Sequence, residues 1–122
     1  MVKYFCALGL MSGTSMDGID ASIISSNGID DFEIIQNKYY KYDDKFINKL
    51  TNLKNKIDKL DDFKLHFNDL KSIEREITIL HAKFTNDILI KFKHKIDLVG
   101  FHGQTIYHNS DQKISKQLGD GK

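Results

Sequence analysis

"LMSGTSMDGIDAS", Leu10–Ser22, puts two glycines (Gly13, Gly18), the hydroxyls of Ser12, Thr14 and Ser15, and the carboxylates Asp17 and Asp20 directly behind an apolar run. What flanks this stretch decides what it is. Upstream, Val2–Leu10 is rich in β-formers and has no helix cap before it, which predicts a largely buried strand. Downstream, Ile19–Ser25 ("IDASIIS") predicts a second short strand. Asn27-Gly28 is a strong tight-hairpin signal, and Phe32–Tyr42 predicts a third strand. Strand, loop, strand, tight turn, strand reads as an antiparallel meander, with the quoted loop turning its first hairpin.

The period then changes. Asp43-Asp44 can cap a helix carrying Phe46, Ile47, Leu50, Leu53 and Ile57. A longer helix is predicted from about Asp69 to Lys93, with Leu70, Ile73, Ile77, Leu80, Phe84 and Ile88 on one face. His81 lies near that stripe and reads as a packed or boundary histidine. Glu74 and Thr78 lie off it and read as solvent-facing or packing residues. Ile96–Phe101 is a short strand that "HGQT" interrupts, Ile106–His108 resumes it, and Lys113–Leu118 returns as another. The expected fold is α/β: a three-stranded antiparallel meander, then helices, then further strands joining the same sheet.

A chain of 122 residues supports one domain. A net charge of +1 leaves no global field to draw it to nucleic acid or an anionic membrane, and neither is an expected partner. Lysines and acids alternate through "NKLTNLKNKIDKLDDFK", a solvated face. Cys6, the one cysteine, excludes an internal disulfide, fits a reducing compartment and reads as a buried structural thiol. No apolar run approaches the ~18 residues of a membrane span, and "YFCALGLM" is short for a signal core. The expected location is the cytoplasm.

Three chemistries fit a loop of this composition, beside a plain tight turn. A serine elbow, G-x-S-x-G, would use Ser15, but its second glycine falls one residue late and a strand follows where a helix is needed. A G-x-x-x-x-G-K-[ST] phosphate loop is absent, because no lysine follows Gly18. The third is a phosphate cradle in a hairpin. Adjacent backbone N–H groups form an anion nest. Gly13 and Gly18 permit positive φ and close approach, and the hydroxyls of Ser12, Thr14 and Ser15 add donors. Asp17 or Asp20 beside a polyphosphate implies an intervening cation, and Mg²⁺ suits one or two carboxylates through its waters.

"GLMSGTSMDGIDA", "IEREITILHA", "DLVGFHGQTIYH" and "QLGDG" occur in that order. With these blocks the chain resembles the N-terminal part of the anhydro-N-acetylmuramic acid kinase family, over almost its whole length and most weakly between Lys38 and Asn68. The resemblance implies a partial ribonuclease-H-like lobe of the actin-like kinase fold. It implies ATP and Mg²⁺ as cofactors, and the conversion of 1,6-anhydro-N-acetylmuramic acid, ATP and water to N-acetylmuramic acid 6-phosphate and ADP in peptidoglycan recycling. A carboxylate general base activates the water that opens the anhydro bridge, and the freed 6-oxygen takes the γ-phosphoryl group.

Carried over residue by residue, Gly13, Thr14, Ser15, Met16, Asp17, Gly18, Ile19 and Asp20 are the ATP phosphate-binding stretch. Asp17 and Asp20 are the Mg²⁺ residues, through water. Period two puts His102 and Gln104 on one strand face, with His108 if the strand continues, and the resemblance places His102 and Gln104 on the sugar side of the cleft. Zinc is not expected there, for want of a third ligand at metal spacing.

The resemblance also sets an expectation about extent. Residues 1–122 form a single incomplete N-terminal lobe, and the family's catalytic aspartate, adenosine pocket and second lobe lie beyond residue 122. Such a chain is expected to be inactive alone, since a two-lobed kinase closes on its substrates to assemble the site. The alternatives are one half of a split enzyme, completed by a second chain that supplies the missing lobe, and a non-catalytic nucleotide- or phosphate-binding module. The family's homodimer is a further partner the resemblance raises.

Overall fold

A computed structural model of the chain describes residues 2–122. Strands β1 (Phe5–Ser12), β2 (Gly18–Ser26) and β3 (Phe32–Lys41) form the antiparallel meander. Helices α1 (Asp44–Lys54), α2 (Asp62–Leu65) and α3 (Phe67–Lys91) carry the chain across to β4 (Leu98–Asn109), which pairs parallel with β1. Strand β5 (Ile114–Leu118) returns antiparallel to β4. The sheet order is β3-β2-β1-β4-β5, so β1 lies at the centre and the loop after it opens at the middle of one sheet end.

Alternation explains which face is covered. Leu8 and Leu10 of β1 with Ile19, Ala21 and Ile23 of β2 point into the core, while Met11 and Asp20 on the opposite face are exposed. The covering layer is α1 and α3, through Phe46, Leu50 and Leu53 and through Leu70, Ile73, Ile77, Phe84 and Ile88. Leu50 and Ile77 are fully shielded, each contributing about 1.5–3 kcal/mol relative to exposure. The Asp43 carboxylate caps α1 by accepting from the Phe46 N–H at 2.7 Å, as its position in the sequence predicts.

On α3 the buried stripe takes His81 in place of Leu80, which is only half-buried. The His81 Nδ1–H donates to the Ile77 carbonyl at 2.8 Å, and the ring meets Phe101 edge-on. Burial pushes this imidazole below its ordinary value, partly offset by that hydrogen bond. Glu74 and Thr78 are packing residues of a specific kind. The Glu74 carboxylate accepts from the Gly119 N–H at 3.2 Å and the Thr78 hydroxyl accepts from the Asp120 N–H at 3.0 Å, so together they clasp the "GDG" segment.

Three local expectations change. Cys6 is half-buried, with its N–H donated to the Asp97 carboxylate at 2.9 Å; partial burial, reinforced by that carboxylate, pushes its thiol up. Asn27-Gly28 does not make a two-residue turn: five residues, 27–31, separate β2 from β3. "HGQT" does not interrupt β4, which runs through it with a bulge. Leu10 pairs with Phe101 but Ser12 pairs with Gln104, so β4 carries one extra residue, at Gly103 with φ +84°.

Candidate functional site

The bulge decides where the two polar residues of "HGQT" go. An extra residue breaks the period of two, so Phe101 and Gln104 both turn inward and His102 turns out. The sequence reading expected His102 and Gln104 on one face; the structure places them on opposite faces. Gln104 is fully buried, and its Nε2 donates to the Gly13 carbonyl at 2.7 Å and to the Thr105 carbonyl at 3.0 Å. Its Oε1 lies 3.2 Å from the Tyr42 hydroxyl. All its hydrogen-bonding groups are engaged within the protein.

Tyr42 ties the underside of the loop together. Its hydroxyl oxygen lies 2.7 Å from Ser12 Oγ, which also lies 2.7 Å from the Gly18 carbonyl. The two hydroxyls have one proton each, so two of the three contacts, to Gly18, to Gln104 and between the hydroxyls themselves, are made at a time. Burial pushes the Tyr42 phenol up to about 12, so it stays protonated as a donor. The Tyr42 N–H donates to the Asp17 carbonyl at 2.9 Å. Ser12, expected to offer its hydroxyl outward, is buried and spends it on this network.

The outer side of the loop is different. Residues 13–16 form a turn closed by the Met16 N–H on the Gly13 carbonyl at 3.3 Å. The left-handed residue is Met16, at φ +55°, and neither Gly13 nor Gly18 has positive φ. Gly18 is required for space: a Cβ there would overlap the Tyr40 carbonyl and the Tyr39 phenol. Met16 and Ile19 bury their side chains, so only their backbone is open to a ligand. Thr14, Ser15, Asp17 and Asp20 are exposed. Among the described residues, the N–H groups of Thr14 and Ser15 form no hydrogen bond within the chain.

Of the two acids, Asp17 is held in place. The Ser15 hydroxyl donates to Asp17 Oδ1 at 2.7 Å and, with the Tyr39 phenol, holds this carboxyl below its usual range. Asp20 on β2 and His102 on β4 both line a shallow trough on the exposed sheet face, which Gly9 and Gly100 also line. Among the described residues no three metal-ligating side chains cluster. A divalent ion at Asp17 and Asp20 would complete its shell with ligand oxygens and water, which suits Mg²⁺.

A meander of three antiparallel strands, with a loop of this kind in its first hairpin, is the arrangement the resemblance implies. The profile of the anhydro-N-acetylmuramic acid kinase family matches residues 5–122. The chain belongs to that family. The anhydro-N-acetylmuramic acid kinase of Pelagibacter ubique is 49% identical over 121 residues, covering 99% of this chain and 32% of the relative. Those of Rhizobium etli and Brucella canis are 37% and 36% identical, covering 95% and 94% of this chain and 32% of each relative. The chain thus spans about a third of the length of these curated members of the anhydro-N-acetylmuramic acid kinase family. No helix among the described residues is long and apolar enough to cross a membrane.

Tyr39 and Tyr42 are the site residues that sequence reasoning missed. They close the third strand, where "YYKY" reads simply as β-propensity. A signal was available: the pairing of Gly18 with Lys41 brings both tyrosines against the loop. Finding it requires the strand register.

Proposed function

We propose that the chain supplies the phosphate-binding hairpin of an ATP-dependent kinase. Its substrate is 1,6-anhydro-N-acetylmuramic acid, converted with ATP and water to N-acetylmuramic acid 6-phosphate and ADP in peptidoglycan recycling. One observation carries this reading: two consecutive N–H groups, Thr14 and Ser15, are left unspent on a turn whose first carbonyl, that of Gly13, is gripped from below. Phosphoryl transfer depends mainly on positioning and on stabilising charge, and a fixed nest of N–H donors does both. Bound Mg²⁺ would neutralise phosphate charge there. Asp17, kept ionised by Ser15 and Tyr39, and Asp20 orient its waters. Gly13 to Asp20 is the nucleotide side and the trough with His102 is the sugar side. Gln104 serves the same site from behind.

In this reading residues 1–122 form one N-terminal lobe of a two-lobed enzyme, working in the cytoplasm where ATP is available. The remaining lobe comes from further sequence or a second chain, and the assembly pairs into a homodimer. Calorimetry with Mg²⁺ and ATP, beside an assay of anhydrosugar phosphorylation, tests it. The 122 residues are expected to bind Mg-ATP, to lose that binding on Asp17→Ala, and to yield sugar phosphate only when mixed with the family's remaining lobe; binding with no turnover in that mixture would favour a non-catalytic nucleotide-binding module instead. Binding that survives Asp17→Ala, or turnover by these residues alone, contradicts the proposal.

A further inference from the structure

We infer that Gln104 is a positioning residue of the phosphate loop, aiming the Thr14 N–H by holding the carbonyl of Gly13. The Gly13 carbonyl and the Thr14 N–H belong to the same peptide plane, and in a trans peptide they point in opposite directions. No peptide among the described residues is cis. The Gly13 carbonyl is drawn inward by Gln104 Nε2 at 2.7 Å, so the Thr14 N–H faces outward. Gln104 is fixed at its other end by Tyr42 and by its own second donor on Thr105, and no part of it reaches the surface. Without Gln104 that carbonyl keeps only the longer turn bond from the Met16 N–H, at 3.3 Å, and each ligand would have to order a looser peptide at an entropic cost.

The ligand here rests on the phosphate-binding reading above; the control of the peptide by Gln104 does not. The test uses the isotopically labelled chain with two readouts: fast backbone motion at Thr14 and Ser15 without ligand, and affinity for Mg-ATP. Gln104→Met keeps the volume and removes the donor. It is expected to mobilise Thr14 and Ser15 and weaken Mg-ATP binding by about tenfold, the effect of losing one well-made hydrogen bond's worth of order. The backbone amide signals of Leu8 and Ile23 should keep their positions, showing the sheet intact, so that the added motion is confined to the loop, a split that a merely stabilising residue would not give.

Tyr42→Phe leaves the Gln104 donor on Gly13 in place, frees the far end of the carboxamide together with the Ser12 hydroxyl, and is expected to give a smaller loss in the same two readouts. It decides the matter if Gln104→Met does not fold. Unchanged motion in the folded variant overturns the inference, as does increased motion with unchanged affinity. If the unmodified chain does not bind Mg-ATP, the phosphate reading fails, and motion at Thr14 alone then decides the role of Gln104.

Discussion

The meander has two hairpin loops built from similar residues, and they use their backbone in opposite ways. In the β2–β3 loop the Asn27 side-chain oxygen accepts from the N–H groups of Ile29, Asp30 and Asp31 at 2.9, 3.2 and 3.1 Å. The Gly28 N–H goes to Ser26 Oγ at 3.0 Å and the Asn27 N–H to the Asp31 carbonyl at 3.2 Å. Every N–H in that loop is satisfied within the loop and its flanks. In the β1–β2 loop the gripping side chains act as donors. Gln104 and the Tyr42–Ser12 pair hold carbonyls, and the N–H groups of Thr14 and Ser15 are left facing out. Loop composition alone does not separate the two. An acceptor in the middle of a turn closes it on itself, whereas donors beneath a turn leave its N–H groups unspent.

The largest expected effect that separates the loops is at their glycines. Gly18→Ala forces a Cβ into the Tyr40 carbonyl and is expected to cost about 3 kcal/mol or more in chemical denaturation. Gly28→Ala meets open space and bears only the cost of a left-handed alanine, about 1 kcal/mol. Equal losses would break the contrast between a glycine needed for space and one needed for conformation.

Next comes Asn27→Ala, which removes one acceptor from three N–H groups. A loss of about 1 kcal/mol is expected by denaturation, because exposed donors recover water. Mg-ATP affinity should not change; a change would mean the second loop shares the site. The smallest effect is electrostatic. Asp17 titrates below its ordinary value, so its share of stability is complete above pH about 4 and fades as pH falls through the lowered value. Ser15→Ala removes the leading cause and should move the Asp17 midpoint upward, as read by carboxyl NMR. A midpoint that stays put would assign the effect to Tyr39 instead.

The meander, the capped α1 and the long α3 are legible in the sequence because each depends on neighbours a few residues apart. The hairpin setting of Gly13–Asp20 is legible for the same reason. What lay outside its reach is long-range. Tyr42 meets Gln104 across 62 positions, and only strand register brings them together. The bulge at Gly103 inverts the face of Gln104, so a period of two predicts the wrong side for it. At Asn27-Gly28 the dipeptide signal was sound but the side chain acted differently. Asn27 closes the loop with its oxygen, and Gly28 alone takes positive φ, at +74°. On α3, a hydropathy pattern selects Leu80, while the drift of the 3.6-residue repeat brings His81 to the core.

The most direct test of the contrast between the loops is a side-by-side titration of both with Mg-ATP, following backbone amide signals of the labelled chain. Saturable shifts at Thr14 and Ser15, with Ile29, Asp30 and Asp31 unmoved, are the predicted result. Shifts of equal size in the two loops, or at residues 29–31 alone, would contradict the assignment of the first hairpin as the phosphate cradle.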